Sequence, residues 1–377
     1  MSENIAKKRN ANIEWLRILA MFMVVTLHAL GKADLLGAMS GSGKATSYLA
    51  WLIEAFAIVA VNLYVLISGY VLTGSKFRTG RFTELLCEIL FYSVGGFLIF
   101  TVTGIGDKTV TGTYSALQCI FPVHMDTFWF MTSYVVMYLL LPVLNLAVKH
   151  MTRKQHGAVV ILLGIYECVV KSILPVVLEV DDNGYSVMWF VFLFLTAAYV
   201  KLYGLWFIKK PSQGMAMYLI NVLLIFIEQV AIDYVMVNLG HLELISGISY
   251  DYNHLFTFMA SLGLFMWGIK LPEKEGVWAN IGIHLAPMAL GVYLLHEHIM
   301  IRYEWQKWLG VTELGERSVP GFIGGLLLAV LIVYAVGTVV DYVRIWIFKG
   351  VKALFRNTKL VEAFGRLDAT VNGTENT

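Results

Sequence analysis

Apolar runs too long for the interior of a water-soluble domain recur along this chain. Thr127 to Val148 contains no Lys, Arg, Asp or Glu, and neither does Ser318 to Val340. A bilayer core accepts a helix of about 20 mostly apolar residues. Ten stretches meet that length or approach it: 13–31, 48–73, 83–105, 127–148, 157–178, 186–207, 213–236, 254–270, 281–300 and 320–347. The fifth and seventh are interrupted by Glu167, Lys171, Glu228 and Asp233. The runs are continuous and do not alternate, which argues for helices over barrel strands. The expected fold is all-α, a polytopic integral membrane bundle of about ten transmembrane helices. Composition agrees, with 58% hydrophobic and 14% charged residues in 377. A soluble domain has about 25% charged residues and could not enclose so much apolar surface. A net charge of +2, from 28 Lys and Arg against 26 Asp and Glu, argues against a basic nucleic-acid binder.

Orientation follows from loop cations. With a cytoplasmic N-terminus, nineteen Lys and Arg residues fall on inner segments and six on outer ones. Lys7, Lys8 and Arg9, then Lys76, Arg78 and Arg81, then Lys149, Arg153 and Lys154 open the inner set. Lys209, Lys210, Lys270, Lys274, Arg344, Lys349, Lys352, Arg356, Lys359 and Arg366 complete it. Both termini are therefore expected in the cytoplasm. The first apolar run carries Arg17 and His28 and reads as a retained span, not a cleaved signal. No outer loop is long enough to form an enzyme domain, so any chemistry belongs to the bundle. The tail from about Lys359 reads as polar and loose.

Ionisable groups inside spans are costly and usually face a cavity or a partner. Arg17 and His28 are eleven positions apart, close to three turns, so they share a helix face about 16 Å apart along the axis. Arg17 falls near the inner boundary and His28 well inside the bundle. Glu14, three residues before Arg17, can pair with it. Lys76, Arg78 and Arg81 can hold phosphates, although on counting alone an ordinary excess of inner positive charge accounts for them better. Glu167 and Lys171 stand as an i,i+4 pair expected to neutralise each other as structure. His296, Glu297, His298 and Arg302 close the ninth span. His296 and His298 are not on one helical face, which disfavours a helical zinc site. Cys87, Cys119 and Cys168 lack metal-ligand spacing, and no metal is expected. His254 and His284 read as packing residues.

Several of these strings resemble the membrane-bound acyltransferase family 3. Glu14-x-x-Arg17, ten residues and then His28 resembles its first-span signature. YVLISGY at 64–70 is similar to its second-span string, and the basic residues after it to its cationic entry to the third span. FWFMTSYVVMYLLLPVLN at 128–145, GVYLLHEH at 291–298 and the 251–271 stretch resemble later strings, the last of them a branch acting on surface polysaccharide. The resemblance runs from residue 12 to about 300. It implies one acyltransferase 3-like transmembrane domain over 1–350, with a cytoplasmic polar tail at 351–377.

The resemblance further implies an O-acyltransferase of a bacterial-type inner or plasma membrane. It would take an acyl group, usually acetyl, from cytoplasmic acetyl-CoA and deliver it to a hydroxyl of an extracytoplasmic or lipid-linked glycan. Expected partners are acyl-CoA, the sugar acceptor, membrane lipid and, as an open option, further copies of the chain. His28 carries over as the catalytic base or acyl carrier and Arg17 as the family's Arg. A thioester-to-hydroxyl transfer needs such a base, and CoA phosphates need cations facing the cytosol, here Arg17, Lys76, Arg78 and Arg81. Glu14, Ser68, Trp129, Tyr134 and His296 are supporting residues by the family pattern. The basic cluster departs from an adjacent Arg-Arg pair. The competing reading is a transporter or exporter of a small polar solute or glycan intermediate, which ten spans with buried Glu167, Lys171, Glu228 and Asp233 would suit. Against it, no inverted repeat is visible.

Overall fold

The computed structural model describes residues 9–39, 42–173, 182–240, 247–273, 275–355 and 358–373. Lys7, Lys8, Lys274 and Arg356, four of the inner cations, lie outside the described residues. The elements are α1 (Ala11–Lys32), α2 (Leu35–Met39), α3 (Ala45–Ala57), α4 (Ala60–Leu72), α5 (Thr79–Thr103), α6 (Gly112–Ile120), α7 (Trp129–Leu139), α8 (Leu141–His150) and α9 (Arg153–Gly164). A π-helical turn, Ile165–Val170, leads from α9 into α10 (Lys171–Ile173). Then come α11 (Val187–Tyr203), α12 (Pro211–Leu239), α13 (Leu255–Lys270), α14 (Val277–Leu285), α15 (Ala289–His296), α16 (Trp305–Trp308), α17 (Val319–Phe355) and α18 (Lys359–Val371). The described residues contain no strand, and the protein is an all-α polytopic membrane protein.

Each of the ten apolar stretches carries helix over its described residues; 174–178 of the fifth lie outside them. Among the described residues, seven helical segments are long and apolar enough to cross a membrane. The α7–α8 pair makes an eighth if its 54° bend at Leu140 is counted within one span. The bend precedes Pro142, whose missing N–H and ring disfavour an unbroken helix. The other two, α11 with 17 residues and α13 with 16, are short for a full crossing.

Burial divides the helices into two shells. The α3–α4 segment buries 78% of its most apolar window and α1 buries 61%, whereas α5 and the α9–α10 segment each bury 22%. The outer helices α5, α9, α12 and α17 therefore turn Leu, Ile and Val outward, as a lipid-facing ring requires. Small residues let helices approach closely. A Cβ at Gly214 would lie 2.6 Å from the Trp267 backbone nitrogen, and one at Gly263 would lie 2.7 Å from that of Tyr218, so glycines seat α12 on α13.

Lys171 is buried and its ammonium lies 3.3 Å from Asp251 and 2.6 Å from the Asn183 side-chain oxygen. Its charge thus meets Asp251, in a loop that is distant in sequence, where the i,i+4 spacing had pointed to Glu167. Lys171→Met is expected to cost about 3 kcal/mol of stability, because it strands a partly buried carboxylate. Lys171→Met/Asp251→Asn should recover much of that loss in a thermal unfolding assay in lipid. The tail is not loose throughout: Lys359–Val371 forms α18, whose Asp368 carboxylate accepts from the Thr79 backbone N–H (2.7 Å) at the start of α5.

Candidate active site

The inner shell encloses a cavity of about 240 Å³. One wall is a single stripe of α1, formed by Arg17, Met21, Val24 and His28. These residues follow the i, i+4, i+7, i+11 spacing of one helix face. Val61, Tyr64 and Ser68 of α4 form a second wall, and α7 contributes Trp129, Phe130, Met131 and Tyr134. Leu85 of α5, Tyr252, and the broken segment from Ala286 to Tyr293 complete the lining. That last break is a 3₁₀ turn at Ala286–Met288 containing Pro287. Irregular backbone at membrane depth is tolerated where it faces such a cavity.

At the N-terminal end of α1, Asn10 caps the helix by accepting from the backbone N–H of Asn12 (2.9 Å) and Ile13 (3.3 Å). This places Glu14 in the first turn, where a carboxylate is favoured. Glu14 pairs with Arg17 at 3.0 Å and takes a second, two-pronged contact from Arg9 at 2.7 and 3.0 Å. Arg17 is thereby held in place with part of its guanidinium turned to the cavity. The Tyr64 hydroxyl donates to the Arg17 carbonyl (2.7 Å) and ties α4 to this turn.

His28 lies at the other end of the stripe. Its Nδ1 is 2.8 Å from His296 Nε2 and 3.0 Å from Glu297 Oε1. His296 Nδ1 is 2.6 Å from the Val292 carbonyl oxygen, which can only accept, so that nitrogen carries the proton. His296 Nε2 is then the acceptor and His28 Nδ1 the donor. In the neutral imidazole this leaves the His28 Nε2 lone pair for the cavity. The Lys32 ammonium contacts Glu297 Oε1, and Arg302 donates to the Glu297 carbonyl (3.1 Å) and the Thr127 carbonyl (2.7 Å). His28, His296 and Glu297 have donor atoms close enough to share a metal ion. With the Lys32 ammonium already on the carboxylate, the trio suits a proton better than a dication.

Seven of the ten sequence candidates are brought together. Arg17, His28, Ser68, Trp129 and Tyr134 line the cavity, Glu14 holds Arg17, and His296 holds His28. Lys76, Arg78 and Arg81 are exposed and do not line it. Arg81 is one turn before Leu85 on α5, so it stands on the face that reaches the cavity. The loop carrying Lys76 and Arg78 is pinned from two sides. Asn145 donates to the Leu72 and Ser75 carbonyls (3.1 and 2.9 Å) and accepts from the Gly74 N–H (2.9 Å), while Asn372 accepts from the Phe77 N–H (2.9 Å). Glu297 and Lys32 were not among the candidates. The i,i+4 spacing of His28 and Lys32 was the available signal.

A family model described as an acyltransferase domain matches residues 10–338. Comparison with curated proteins and with solved structures gave no match.

Proposed function

From a chain that belongs to the acyltransferase 3 family and is a membrane acyltransferase, we propose transfer of an acyl group, acetyl in the first instance, from cytoplasmic acyl-CoA to a hydroxyl of an extracytoplasmic or lipid-linked glycan. The membrane is the bacterial-type cell membrane and both termini face the cytoplasm. The observation that carries this reading is the His28 imidazole, held through Nδ1 by His296 and Glu297 and lining a cavity whose other end holds Arg17.

The chemistry follows from that arrangement. Nε2 takes the proton of the acceptor hydroxyl as its oxygen attacks the thioester carbonyl. The Glu297 carboxylate stabilises the imidazolium that forms. Collapse of the tetrahedral intermediate breaks the carbon–sulfur bond, and the proton passes from Nε2 to the leaving thiolate. No net proton is gained or lost. Where the two substrates do not meet, the same nitrogen carries the acyl group between them. Ser68, Trp129 and Tyr134 shape the acyl channel, and Arg17 with Arg78, Arg81 and Lys76 attracts the CoA phosphates at its inner mouth.

Purified protein in lipid is expected to transfer labelled acetyl from acetyl-CoA to a glycan acceptor. Absence of both transfer and CoA binding would refute the reading. CoA binding should weaken as salt rises, because exposed charges are screened over about 10 Å at 0.1 M. Arg78→Ala/Arg81→Ala should bind CoA about tenfold more weakly, with a shallower salt dependence. Unchanged binding by that variant would remove both residues from the site.

A further inference from the structure

Behind the His28 cluster lies a buried ionic group that the proposed chemistry does not use. Arg344 of α17 makes a two-pronged contact to Asp341 (2.9 and 2.8 Å) and reaches Glu88 of α5 (2.9 Å). Tyr92 of α5 donates its hydroxyl to Asp341 (2.8 Å). All four side chains are buried, Asp341 completely. Burying such charges is costly, and apolar packing would join two helices as well. What charged, two-pronged contacts add is direction.

The direction is toward α15. Gly291 faces the quartet so closely that a Cβ there would overlap the Asp341 carboxyl and lie 2.5 Å from the Tyr92 hydroxyl oxygen. One residue on, the Val292 backbone meets α17 at Gly337, where a Cβ would lie 2.8 Å from Val292 Cα. The backbone of α15 is thus seated against α17 and the quartet at Gly291 and Val292. The Val292 carbonyl is the group that accepts from His296 Nδ1, and His296 in turn accepts from His28.

We propose that Glu88, Tyr92, Asp341 and Arg344 form a positioning frame for the active site. The frame fixes the height and rotation of α15, and through Val292 and His296 it sets the tautomer and aim of the His28 imidazole. None of the four touches the cavity, so they are positioning residues. The inference rests on His28 being the base of acyl transfer.

Two variants in lipid test it, with kcat, KM for acyl-CoA and thermal stability measured together. Gly291→Ala forces α15 away from Asp341 and is expected to lower kcat at least about tenfold, with KM within about twofold of wild type. Tyr92→Phe removes one hydroxyl from the frame without changing its shape, and is expected to lower kcat about threefold with KM unchanged and no more stability lost than one buried hydrogen bond accounts for. If Gly291→Ala does not fold, Tyr92→Phe decides. Wild-type kcat in the variants that fold would overturn the proposal. So would losses in which KM and stability change in step with kcat, since a merely structural clamp predicts that pattern. A wild-type protein that transfers no acyl group overturns the acyl-transfer reading along with this one, whereas an active wild type with unaffected variants overturns this one alone.

Discussion

Replacing His28 by Ala is expected to lower turnover by about a hundredfold or more, the usual contribution of a positioned general base, while acyl-CoA binding stays near wild type. The separation follows from position. His28 is about 16 Å along α1 from Arg17, by the rise of eleven helical residues, so its loss leaves the cationic end of the cavity intact. The side chain is only partly buried and opens on the cavity, so truncation enlarges a space already present and does not open a hole in packed core. Arg17→Ala should behave in the opposite way, weakening CoA binding first. Steady-state kinetics beside a CoA-binding isotherm distinguish the two patterns, because loss of a contact made only in the transition state lowers kcat without raising KM.

Glu297→Gln is the second large effect. The carboxylate lies 3.0 Å from His28 Nδ1 and faces the positive charge that builds on the imidazole as Nε2 takes the acceptor proton. An amide keeps the shape but supplies no charge, and turnover is expected to fall about ten- to a hundredfold. The variant also removes the counter-ion of partly buried Lys32, so some stability is lost as well. Glu297→Gln/Lys32→Met separates the two consequences. It should regain thermal stability and remain slow. Recovery of full turnover in the double variant would reduce Glu297 to a partner for Lys32.

The sequence revealed the parts of this site that lie along one helix. The eleven-residue interval between Arg17 and His28 predicts a shared face, and both residues line one cavity. The three-residue interval from Glu14 predicts the ion pair found at 3.0 Å. Ser68, Trp129 and Tyr134 had no such periodic signal and were identified only through family resemblance, since their convergence depends on how α4 and α7 pack on α1. Glu297 was visible in GVYLLHEH but carried no sign of its partner, because the meeting of α1 with α15 joins residues 269 positions apart. Lys32 is one of the six cations counted to outer segments, although it occupies the last turn of α1.

The same division holds for the fold. Continuous apolar runs located the helices, and Pro142 and Pro287 mark two of the interruptions. The break between α3 and α4 at Ile58 and Val59 contains neither Gly nor Pro, so no local residue announces it. The tail helix has Leu360, Phe364, Leu367 and Val371 on one face, a period that its overall polarity conceals.

The most direct test of the central claim is to identify the atom that the acyl carbon meets. Bromoacetyl-CoA places an electrophilic carbon where the thioester's acyl group would lie, and an imidazole nitrogen that reaches it displaces bromide and remains alkylated. After incubation with protein in lipid and hydrolysis of the adduct's remaining thioester, which releases CoA, peptide mass spectrometry is predicted to find a carboxymethyl group on His28, blocked by excess CoA and absent from His28→Ala. An adduct of equal yield in His28→Ala, or CoA-protected labelling confined to a residue outside the cavity, would contradict the assignment of His28 to the reacting centre.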